Sequence, residues 1–125
     1  MKKKIIASDE FPVSGPYSAA VEANDMIFIS GQLPVDPATG EIINDIKKGT
    51  RQILMTIQAI LKKTDLDLSN IIKTTIFLKN IKDFQIVNDV YGEFFPQAPP
   101  ARSTVEVSVL PRGALIEIEA IAVRE

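Results

Sequence analysis

A chain of 125 residues is one domain by size, with room for a real core but not for two. Its net charge of -2 offers no basic surface for a nucleic acid or an anionic membrane. Cysteine, histidine and tryptophan are all absent, which removes disulfides, thiol nucleophiles, histidine bases and Cys/His zinc sites together.

The opening "MKKKIIASDE" is basic, but its apolar part stops after Ile5 and Ile6 and acidic residues follow. It lacks a signal-peptide core, and no apolar run reaches the length of a membrane span, so a cytoplasmic protein without a membrane partner is expected. "SAAVEA" (18 to 23) and "MIFIS" (26 to 30) alternate in polarity around Asn24 and Asp25, which predicts a β-hairpin. Pro34, Pro37 and Gly40 then mark a loop. From Asp45 to Thr64, Ile46, Ile53, Ile57, Ile60 and Leu61 recur at helical spacing with lysines on the other side, an amphipathic helix packed on one face. "NIIKTTIFL" (70 to 78) has the β-branched content of an inner strand. "IKDFQIVNDVYGEFF" returns to helical spacing through Ile81, Phe84, Asn88, Tyr91 and Phe95, and Pro96 stops it. Two closing strands are expected at 103 to 110 and 114 to 123, separated by Pro111, Arg112 and Gly113.

The order β, β, α, β, α, β, β predicts an α+β layer whose two helices cover one sheet face. Parity sets Val105, Val107 and Val109 on one side of the first closing strand, and Thr104, Glu106 and Ser108 with Arg102 on the other. In the last strand Ile116, Ile118, Ala120 and Ala122 oppose Glu117 and Glu119. Arg102 and these glutamates are therefore expected on the face away from the helices, which must meet solvent, a ligand or another subunit. If the two strands paired directly, Glu117 would oppose Ser108, roughly 20 Å along the strand from Arg102. Either another strand intervenes or the two charges meet across a subunit boundary.

Arg102 is the leading candidate for chemistry, because a guanidinium fork grips a carboxylate through two parallel hydrogen bonds. A surface arginine paired with a glutamate is the plainer alternative, though Pro99 and Pro100 stiffen the approach to it. Glu117 is suited to position or deprotonate a water if partly buried, and is otherwise an outward strand residue. Asn88 shares a helical face with Phe84 and Tyr91, so its amide needs partners, from a ligand or from the fold. Tyr17 could close a pocket, and Ser30 and Gly31 end a strand where a hydroxyl and an amide could cradle an anionic oxygen. No phosphate-binding loop, dinucleotide fingerprint or metal-ligand cluster is present.

"GPYSAAV", "ISGQLPVDPATGEI", "FQIVNDVYGEFF" and above all "PARSTVEVSVLPRGALIEIEAIA" resemble the RidA (reactive intermediate deaminase, YjgF) family, over residues 4 to 123. The resemblance implies a chorismate-mutase-like α+β fold over the whole chain as one domain, with a mixed sheet of about six strands and two helices on one face. It also implies a homotrimer with ligand clefts between subunits. In that reading Arg102 holds a substrate carboxylate, Glu117 orients water, and Tyr17, Ser30, Gly31, Asn88 and Thr104 line the cleft. The implied reaction, without cofactor or metal, hydrolyses short 2-aminoalkenoates and their 2-imino tautomers to 2-oxo acids and ammonia. Two positions depart from the pattern: Thr104 stands where many relatives have cysteine, and Ala19 replaces the glutamine common after "GPYS". A regulator that binds 2-oxo acids without turnover is the alternative, since Arg102 would serve it equally. A ribonuclease role is the third reading, disfavoured by an acidic chain without histidine.

Overall fold

The computed structural model describes residues 2–125. Its six strands are β1 (Lys4–Ile6), β2 (Ala20–Ala23), β3 (Met26–Gln32), β4 (Ile71–Leu78), β5 (Ala101–Glu106) and β6 (Ile116–Val123). Two helices, α1 (Ile46–Lys62) and α2 (Phe84–Phe94), complete the layer. The sheet runs β1-β2-β3-β6-β4-β5, and only the β4–β5 pair is parallel.

Local chemistry explains most boundaries. Asn24 and Asp25 have φ of 51° and 62°, the two left-handed residues of a tight turn whose twist matches the strands it joins. Asp45 caps α1 by accepting from the Lys48 amide at 2.8 Å. Along α1, Ile53, Leu54, Ile57, Ile60 and Leu61 have no solvent exposure, as helical spacing requires. They pack on Ile116 and Ile118 of β6 and Ile76 and Leu78 of β4, in one continuous core. Each such side chain, fully buried, stabilises by about 1.5–3 kcal/mol.

Three expectations need correction. β1 adds a strand that the alternation analysis does not find, because three residues give too short a run to read. The second helical segment begins as a 3-10 turn at Ile81–Asp83, with α-helix only from Phe84. The first closing strand spans Ala101–Glu106 rather than 103 to 110, because residues 107 to 115 carry the chain past the end of β4, and β4 separates β5 from β6. An intervening strand, one of the two alternatives left open by the spacing, is therefore present, but it does not bring the two charges together. The physical reason is that β4 is apolar enough to be central. The crossover through α2 then lays β5 parallel on its outer edge, while β6 fills the slot between β3 and β4.

The same topology overturns the expected face of Arg102. Arg102 and Thr104 lie in register with Thr74 and Ile76, whose side chains are buried beneath the helices, so they too face the helix layer. Val105, in register with Phe77 and Glu117, is on the open face and 44% exposed. Alternation within β5 is as expected, but its sides are exchanged. An edge strand under α2 can keep polar residues inward, provided they find partners there. Glu117 and Glu119 do point to the open face, among Phe28, Ile5, Val105 and Lys73.

Candidate active site

Two groups of the expected residues form, on opposite sides of the sheet. Arg102 stands on β5 under α2, where its Nη2 donates to Asn88 Oδ1 at 2.5 Å. The guanidinium carbon lies 4.8 Å from the Tyr91 ring centroid and 5.5 Å from that of Phe84, within cation–π range of both. Phe84, Asn88 and Tyr91 are spaced 4 and 3 residues apart, so one stripe of α2 supplies all three contacts. Among the described residues Arg102 makes no ion pair. A fixed cation with most of its five donors unspent has the chemistry to grip a carboxylate. Thr104, two residues along the same face, adds a buried Oγ1 with no hydrogen-bond partner among the described residues. An orphaned hydroxyl of that kind costs free energy unless something bonds it.

The second group sits where β3 meets β6. Ile29 is in register with Ala120 and Gln32 with Ile118, so Ser30 and Gly31 together oppose one residue and form a β-bulge. The bulge turns Gly31 against the half-buried Glu117 side chain. A Cβ on Gly31 would lie 2.8 Å from Glu117 Cδ and would overlap Oε2, so the carboxylate occupies the space that any other residue would need. Ser30 Oγ donates to the Ser18 carbonyl at 2.6 Å, which leaves its lone pairs as acceptors. Burial, with Glu119 nearby as a lesser cause, raises the Glu117 pKa above the usual carboxylate range. A carboxyl that exchanges its proton closer to neutrality suits general base and acid work. Tyr17 is half-exposed at the rim of a groove of about 710 Å³ that Gly31 also lines, between residues 9–17 and Gln52, Met55 and Thr56 of α1.

These groups do not converge within one chain. Arg102 is level with Thr74 and Glu117 with Phe77, three residues along β4, so they are about 10 Å apart along the strands and about 10 Å across them. They also project from opposite faces. Among the described residues no cluster of carboxylates could hold a metal ion, and no helix is long and apolar enough to cross a membrane.

Comparison with known proteins places the chain in a family. The model of the family described as Endoribonuclease L-PSP matches residues 7–124. The chain belongs to the Endoribonuclease L-PSP family. Its relatives there include a RutC family protein of Pyrococcus horikoshii, 50% identical over 98% of this chain and 99% of that protein. The 2-iminobutanoate/2-iminopropanoate deaminase of Bos taurus is 44% identical, over 98% of this chain and 90% of the relative. Among solved structures, the YjgF gene product of E. coli superposes with a TM-score of 0.92 at 45% identity, over 98% and 99% of the two chains. TdcF of E. coli, solved with bound serine, gives 0.92 at 42% identity over the same shares. The RidA/YjgF resemblance and the two-layer α+β fold expected from it thus hold for this member of the Endoribonuclease L-PSP family.

Sequence reading missed Phe84, Tyr91 and Thr74 as the setting of Arg102. The spacing of Phe84, Asn88 and Tyr91 put them on one helical face, but only the β4–β5 register brings that face over the arginine.

Proposed function

We propose that the protein is a deaminase that hydrolyses short 2-aminoalkenoates and their 2-imino tautomers to 2-oxo acids and ammonia. The observation that carries this reading is the Arg102 guanidinium, held by Asn88 and two aromatic rings and in no ion pair among the described residues. Such a group selects a small anionic substrate. Because Glu117 projects from the opposite face of the sheet, the reading requires that a cleft be closed by two copies of the chain, Arg102 from one and Glu117, Ser30, Gly31 and Tyr17 from its neighbour. Each chain carries one of each half-site, so any closed cyclic assembly satisfies them all, and we take the homotrimer that the RidA/YjgF resemblance implies. The open face bearing Phe28, Val105 and Ile5 supplies apolar surface for the contact.

The chemistry follows from these groups. Arg102 binds the carboxylate, and protonation of the enamine carbon gives the iminium. Glu117 takes a proton from water as its oxygen bonds to C2. That proton passes to nitrogen, and as the C–N bond breaks Glu117 takes the hydroxyl proton so that the C=O bond forms. Ammonia and the 2-oxo acid leave, and Glu117 returns this proton to solvent in place of the one added to the enamine carbon. The iminium carbon is already electrophilic, so positioning and proton transfer suffice and no cofactor is invoked. A relative that bears the deaminase name and another crystallised with serine, itself a small carboxylate, support the choice of substrate class. The family's description names an endoribonuclease, but a net charge of -2 and no histidine suit neither the grip nor the cleavage of RNA.

The test generates 2-aminoacrylate in situ with a serine dehydratase and follows its decay with wild type and Arg102→Ala. Acceleration by wild type alone is expected. If wild type leaves the decay at the buffer rate yet binds 2-oxobutanoate, the deaminase reading fails and the carboxylate-binding regulator replaces it.

A further inference from the structure

Arg102 is not held by Asn88 alone. Tyr91 is only 5% exposed, and its ring is the nearer of the two that flank the guanidinium, at 4.8 Å against 5.5 Å for Phe84. The Tyr91 hydroxyl is hydrogen-bonded to Thr74 Oγ1 at 2.7 Å, and Thr74, 1% exposed, is the residue of β4 in register with Arg102 itself. Strand, helix and arginine therefore form a closed loop: β5 carries Arg102, α2 carries the ring beneath it, and β4 pins that ring. The ring also packs on Phe95 at a centroid distance of 4.6 Å, tilted by 38°, which limits its freedom to swing away. Burial raises the phenol pKa, so the hydroxyl stays neutral at physiological pH and the bond to Thr74 persists.

We propose that Tyr91, tethered by Thr74, is a positioning residue for Arg102: its ring supports the guanidinium and its hydroxyl fixes the ring, so that the unspent N–H fork is presented to the substrate carboxylate. This inference rests on the carboxylate-binding reading of Arg102. The physical sense is pre-organisation. A free arginine samples many rotamers, and one laid on a fixed aromatic face and anchored through one nitrogen enters the complex with less freedom to lose. Asn88 alone sets one nitrogen but not the plane of the group; the ring sets the plane.

The test is a double-mutant cycle on 2-oxobutanoate binding, followed by titration calorimetry with wild type, Tyr91→Leu, Arg102→Ala and the double variant. Tyr91→Leu is expected to weaken binding about tenfold, and to have no further effect once Arg102 is alanine. On 2-aminoacrylate it raises KM more than it lowers kcat. Additive losses overturn the proposal, since the ring would then act on the ligand or on the fold rather than through the arginine. Tyr91→Phe with Thr74→Val guards against misfolding: it removes both hydroxyls, leaves no orphaned polar atom and keeps the ring. This variant should melt near the wild-type temperature and bind about threefold more weakly, whereas wild-type affinity would overturn the tether. If wild type itself binds no 2-oxobutanoate, the carboxylate reading of Arg102 falls and this inference with it, which is distinct from an additive cycle on a protein that binds.

Discussion

Gly31 and Glu117 show how one atom can decide a site. No left-handed backbone angle calls for glycine at 31; the need comes from the Glu117 carboxylate lying where a Cβ would be. Gly31→Ala should therefore displace the carboxylate, a flexible side-chain end that swings aside with little change in the melting temperature, and should lower kcat at least tenfold. Glu117→Gln keeps the size of the side chain and removes its basicity. It is expected to cut turnover about a hundredfold or more while 2-oxobutanoate affinity stays within about threefold of wild type. Turnover that survives this change would return Glu117 to the status of an outward strand residue. Both residues could be named from the sequence, but their contact could not, because it depends on a bulge that sets Ser30 and Gly31 against one residue of β6.

At the scale of elements, a second arginine does purely structural work. Arg124, just beyond β6, donates from Nε and Nη2 to the two Glu22 carboxylate oxygens at 2.9 and 3.0 Å, and from Nη1 to the Thr64 carbonyl after α1 at 2.9 Å. Three elements are tied at one corner. The Arg124 hydrogen bonds hold the Glu22 pKa below its usual 4.5. A lowered carboxylate pKa stabilises the fold above the unfolded value, and that contribution is lost as pH falls through the folded one. Glu22→Gln should accordingly melt below wild type at pH 7, and the gap should close in strongly acidic buffer. A gap independent of pH would show that packing, not ionisation, holds the corner. The elements themselves were largely legible: α1, β4 and the β2–β3 hairpin follow from periodicity and the Asn24–Asp25 turn. The face of β5 was not, because alternation tells which residues share a side but not which side meets the helices.

For the whole molecule, the separation of Arg102 and Glu117 makes a prediction about copies of the chain. Arg102→Ala and Glu117→Gln should each be inactive alone. Co-expressed in equal amounts, they should regain about a quarter of wild-type activity, because random assembly gives that share of clefts both intact groups. Sedimentation should show a mass of three chains. Failure to recover any activity in verified mixed assemblies would place both residues in one chain's cleft, against the geometry of the sheet.

By itself the sequence determined the α+β class, the helices and their buried stripes, the chemistry available without cysteine or histidine, and the identity of the residues worth testing. Each of these depends on side-chain type and local period, which the chain order carries directly. Only the tertiary structure decided that β4 divides β5 from β6, that Arg102 lies under α2 against Tyr91, and that Glu117 rests on Gly31 from the other face. Those facts arise from strand order and register, which are set by how apolar surfaces compete for the centre of one sheet and which no local pattern encodes.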